Sequence, residues 1–101
     1  MYTFDVLVWE DPSSDGSMGY GAWCSYVYGV WGQGETEEEA LTEVTLMMTD
    51  VVNDPEDLVE SLVDPEAAVA EMADMIRERE TEGIPCWVRQ VSVADPELAE
   101  V

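Results

Sequence analysis

The chain has no lysine and no histidine, and its only cationic side chains are Arg77, Arg79 and Arg89. With no lysines to displace counterions from a phosphate backbone, it is not expected to bind DNA or RNA directly. The lack of histidine removes the usual nucleophilic triads. Two cysteines, Cys24 and Cys86, are too few for an ordinary zinc site. Both lie in apolar, strand-like stretches, where reduced core thiols are the expectation. No apolar run approaches the roughly 18 residues that span a bilayer, and the first residues do not resemble a signal peptide. These absences point to a cytoplasmic protein without a membrane partner, in the host cell's cytoplasm if a phage encodes it.

What the chain has in excess is acid: 24 Asp and Glu give a formal net charge of -21 on 101 residues. Two physical explanations compete. Carboxylates keep a surface hydrated in molar salt, or an acidic face meets something basic. Apolar residues make up 47% of the chain, so it is not an acidic disordered tail. Glu39 and Glu43, Glu56 and Glu60, Asp74 and Glu78, and Glu78 and Glu82 each sit four apart in helix-like segments. Each such pair destabilises a helix by roughly 0.2–0.5 kcal/mol, and about 1 M salt screens the repulsion almost completely.

Along the chain, Tyr2 to Trp9 alternates as a strand, with Tyr2, Phe4, Val6 and Val8 on its buried face. Residues 10–19 are turn chemistry around Pro12 and Asp15-Gly16. Strand character returns at Tyr20–Tyr26 and Val27–Gln33, with glycines marking bends or close packing. Thr36 and Glu39 form a capping box, and Ala40, Leu41, Val44, Met47, Met48, Val51 and Val52 make one apolar helix face. Asp54-Pro55 and Asp64-Pro65 are two further helix starts, for helices over Glu56–Val63 and Glu66–Thr81. The latter is expected to bury Val69, Met72, Met75 and Ile76, with Gly83 at its C-terminal cap. Pro85–Val93 reads as a closing strand and residues 94–101 as an acidic tail, Asp95-Pro96 capping one turn. The order is β-β-β-α-α-α-β. The expected fold class is α+β: a small, mainly antiparallel sheet with helices packed on one face, in a single domain spanning 1–101.

One segment, Gly29 to Leu41, resembles the strand-to-helix signature of the HicB-type antitoxin family. Gly34, Glu35 and Thr36 stand where that family has Gly-Asp-Thr, and Glu38, Glu39 and Ala40 where it has Glu-Glu-Ala. The resemblance covers residues 2–52, with an echo in Ile84-Pro85 and the closing strand at 84–93. It implies a partial ribonuclease-H-like domain without enzymatic activity that neutralises a small, basic, RNA-cleaving toxin. The matched residues Gly29, Gly34, Thr36, Glu39 and Ala40 are expected to be scaffold: turns, a cap and a close helix–sheet contact. The chain departs from the family pattern at Ser25, Val27 and Tyr28, where prolines are usual. It also has a helical insertion, residues 54–82, and no basic operator-binding element.

Catalysis has little support. Asp5 stands alone where a ribonuclease-H metal site needs several carboxylates, and no calcium-loop spacing occurs. No cofactor is expected. The tryptophans suggest binding instead. Trp9 and Trp31 are expected on the less-covered sheet face as anchors for a protein partner, with Glu10, Asp11, Glu56, Asp57, Glu60 and Asp64 as an acidic rim. The leading expectation is a non-enzymatic binding protein of the HicB-antitoxin type that covers a basic toxin. The alternative is a nucleic-acid mimic, of anti-CRISPR or anti-restriction type, whose helical acids imitate a phosphate track for a nucleic-acid-binding complex. A homodimer is left open.

Overall fold

The structure, a computed structural model, describes residues 2–11 and 18–93. The expected Asp15-Gly16 turn, the Asp95-Pro96 cap and the acidic tail lie outside the described residues. Seven elements follow in order: β1 (Tyr2–Glu10), β2 (Tyr20–Trp23), β3 (Trp31–Gly34), α1 (Glu37–Asn53), α2 (Pro55–Ser61), α3 (Pro65–Thr81) and β4 (Cys86–Val93). The four strands form one sheet in the order β3-β2-β1-β4, antiparallel throughout. The α+β class and the element order are as the sequence implies.

Helix boundaries follow local chemistry. Thr36 accepts the Glu39 amide at 3.1 Å and opens α1. The returning Glu39 carboxylate takes the Glu35 amide at 2.8 Å, one residue before the cap, rather than the cap's own N–H. Asp54 caps α2 by accepting from Glu56 and Asp57, and Asp64 caps α3 by accepting from Ala67. α3 ends in a Schellman motif: Gly83 N–H bonds Glu80 O, Ile84 N–H bonds Arg79 O, and Gly83 takes φ +76.

α1 covers one sheet face. Its Ala40, Val44, Met48 and Val52 pack with Val6, Val8, Ala22 and Val91 in the main core. The helix sits close because β3 offers it glycine. A Cβ on Gly32 would lie 2.6 Å from the Ala40 carbonyl oxygen, and one on Gly34 would meet the Glu39 side chain. Gly34 is therefore required by close approach rather than by a turn. Gly29 does turn the chain, at φ +80.

Three details differ from the sequence reading. β2 and β3 are shorter than the apolar run suggested, because residues 24–30 fold as a loop. Val27 of that loop bridges to Leu62, and Tyr28 N–H donates to Ser61 O at 2.7 Å. α3 buries Ala68 and Met72, leaves Met75 and Ile76 half-buried, and turns Val69 outward at 56% exposure. The helices also divide between the two faces. Leu7 points away from Val6 and Val8 and stands outside the α1 core, yet it is fully buried. α3 packs against β1 and β4, and its Arg79 guanidinium lies 4.8 Å from the Trp9 ring centroid. Trp9 shares the face of Leu7, so α3 covers the second face.

This placement gives residues 54–82 their path. α1 runs from the end of β3 toward the 24–30 loop, where α2 is tied. α3 carries the chain back to the other end, where Glu10 N–H meets Pro85 O at 3.0 Å. β4 therefore starts opposite Trp9 and runs antiparallel to β1.

Candidate protein-binding face

Each strand carries one tryptophan. The register decides where they point. Leu7 pairs with Trp23 and Trp23 with Trp31, while Trp9 pairs with Gly21. Paired residues share a face, as do residues two apart, so Trp9, Trp23 and Trp31 all lie on the α3 side of the sheet. Gly21 makes room there: a Cβ at that position would collide with the Trp9 ring. Trp9 is half-buried beneath Arg79, whereas Trp31 is 53% exposed. Trp87 is different, lying on the α1 side and donating its indole N–H to Glu37 at 2.9 Å.

The expected acidic rim is not one patch. Glu10 and Asp11 stand at the end of β1 beside Trp9, with Asp11 N–H bonded to Gly19 O at 2.9 Å. Glu56, Asp57 and Glu60 are exposed on α2, which is tied to the 24–30 loop at the opposite end of the sheet, and Asp64 follows as the α3 cap. Distance along the chain had no bearing on this separation; strand direction decided it.

The electrostatics are one-sided. Arg77 pairs with Asp74 at 3.2 Å, Arg79 lies 3.9 Å from Glu82, and Arg89 donates to Glu37 at 2.6 Å. Every arginine therefore has an acidic neighbour within the chain. Glu37, accepting from Trp87 and Arg89, has its pKa held below the usual glutamate value, first by the indole bond and then by the guanidinium bond. On α1, the like-charged Glu39 and Glu43 turn to different backbone donors, the Glu35 amide and the Gln33 amide (2.7 Å). The Glu43 bond also seals an N–H of β3, an edge strand. By contrast, residues 16–34, which include β2 and β3, carry no charged side chain at all.

Among the described residues no three His, Cys, Asp or Glu side chains converge as metal ligands. Cys24 and Cys86 are free, and burial raises both thiol pKa values. A shallow groove of ≈ 400 Å³ runs along α1 past Leu41, Thr45 and Leu46, bordered by Glu37 and Glu38. No helix among the described residues is long and apolar enough to cross a membrane. Gly32 is one of the glycines that the sequence marks for bends or close packing, and the structure gives it close packing against α1. The full burial of Leu7 is not visible in the sequence, where it is one apolar residue on the outer register of β1. No protein-family model matches the chain, and no curated protein or solved structure is significantly similar to it.

Proposed function

We propose that the chain is a non-enzymatic binding protein of the HicB-antitoxin type, acting in the cytoplasm to cover a basic protein such as a small RNA-cleaving toxin. The supporting observation is the charge that remains after internal pairing. The three arginines each have an acidic neighbour, and the chain still carries a formal net charge of -21. Such a surface attracts a polycation over long range and repels nucleic acid. The Gly34-Glu35-Thr36 and Glu38-Glu39-Ala40 segments occupy the strand-to-helix junction that the family resemblance requires. A tagged pull-down at the host's own salt concentration, read by mass spectrometry, tests the proposal. One small basic protein at comparable stoichiometry is expected. Recovery of no basic partner would overturn it.

A second reading, the nucleic-acid mimic, rests on Glu56, Asp57 and Glu60, which are exposed on α2 with no arginine on that helix. In that case the same pull-down recovers a large DNA-handling complex. Changing all three residues to glutamine then abolishes inhibition; full inhibition by the triple variant would exclude the mimic.

A further inference from the structure

Trp31 is a half-exposed indole within residues 16–34, a stretch without charged side chains in a chain of formal net charge -21. α3 lies against β1 and β4 and leaves the β2–β3 part of the second sheet face without a helix packed on it. On that same face the structure already shows what an aromatic surface of this protein takes: the Arg79 guanidinium seated over Trp9, 4.8 Å from the ring centroid. Trp31 offers the same chemistry, and none of the three arginines is stacked on its ring. The chain cannot supply one from within, since Arg77, Arg79 and Arg89 are held by Asp74, Trp9 with Glu82, and Glu37.

We propose that the Trp23–Trp31 strip is the docking site for an arginine-bearing segment of the basic partner, with a guanidinium stacked on the Trp31 indole. This rests on the binding-protein reading above and assigns it a surface. The strip has the features such a site needs. Trp31 lies directly opposite Trp23 in the register, which gives two adjacent aromatic positions on one face. An aromatic face attracts a cation through its quadrupole, and Arg stacks there better than Lys because its planar group is more weakly hydrated. The chain's carboxylates raise the local concentration of cations, and the one held against β3, that of Glu43, is engaged by the Gln33 amide at 2.7 Å. Charge brings the partner to the molecule, and the tryptophan strip selects arginine and fixes the register.

The test uses the full chain and two synthetic probes, an octa-arginine and an octa-lysine peptide. Binding is followed by tryptophan fluorescence and calorimetry at about 0.5 M salt, where long-range attraction is largely screened. Octa-arginine is expected to bind several-fold more tightly than octa-lysine. Trp31→Ala should weaken octa-arginine binding about tenfold and erase the preference, the size of a desolvated cation–π contact. Trp31→Phe should recover part of it, and Leu46→Ala on α1 should change neither. Equal binding of both peptides, unchanged in Trp31→Ala, would overturn the site while leaving the acidic-binder reading intact. No binding of either peptide at any salt would overturn both. A Trp31 emission that shifts with protein concentration and not with peptide would make a second copy of the chain the occupant, which also overturns the proposal.

Discussion

Glu37 ties the start of α1 to the edge strand β4 through charge as well as packing. Its carboxylate accepts from the Trp87 indole at 2.9 Å and the Arg89 guanidinium at 2.6 Å, two donors on residues that share one face of β4. Both bonds favour the ionised form, so the folded pKa lies below the unfolded one. A depressed carboxylate contributes stability that is fully present above its unfolded pKa and is lost as pH falls through the folded value. Glu37→Gln should therefore lower stability near pH 7 by up to about 1 kcal/mol, a modest figure because the pair is open to solvent. The gap from wild type should close as pH drops below about 4. Urea melts at a series of pH values would show it, and a gap independent of pH would mean that geometry rather than charge holds the contact.

At the scale of elements, the least expected feature is that α3 and Leu7 make a second small core behind the sheet. Leu7 is fully buried, as is Ala68 of α3, and Met72 is nearly so. Leu7→Ala should therefore cost about 2–5 kcal/mol, as much as a main-core truncation. Chemical denaturation measures it, and a loss under about 1 kcal/mol would mean α3 does not seal that face. The sequence showed the helices well, because Thr36, Asp54-Pro55, Asp64-Pro65 and Gly83 each announce an end through local hydrogen bonding. It showed the face of α3 poorly. The residue that seats deepest is Ala68, whose small side chain carries almost no weight in an apolar pattern, while the bulkier Val69 beside it faces solvent. It also overextended β2 and β3, since an aromatic run reads as strand whether its amides pair in a sheet or, as at Tyr28, with the end of α2. The candidate site was partly legible. Alternation puts Trp9 on the outer face of β1, but only the register places Trp31 on that same face, two strands away and opposite Trp23, and puts the acids of α2 at the far end.

For the whole molecule, charge is the dominant variable. With 24 acids and three cations, self-repulsion opposes the folded state at low ionic strength. Raising salt from about 0.05 to about 1 M shortens the Debye length to roughly 3 Å. The melting temperature should rise by about 5–10 °C over that range, as relief of a kcal/mol or two implies for a domain of this size. Calorimetric scans in KCl check this, and they also separate the two origins of the acidity. A rise that levels off by about 1 M reflects screening alone, whereas a rise continuing well beyond it marks a protein built for concentrated brine. A flat curve would show that repulsion is not what limits stability. The architecture has one further consequence, for biosynthesis. β1 is made before every other element described, yet eight of its twelve strand pairings are with β4, with Tyr2 opposite Val93. Until β4 is translated, β1 presents an open edge to everything around it, and no shorter length of chain can close the sheet. The sheet therefore stays incomplete from the synthesis of β1 until β4 emerges, and a ribosome that stalls between the two releases a product whose β1 edge is left unpaired.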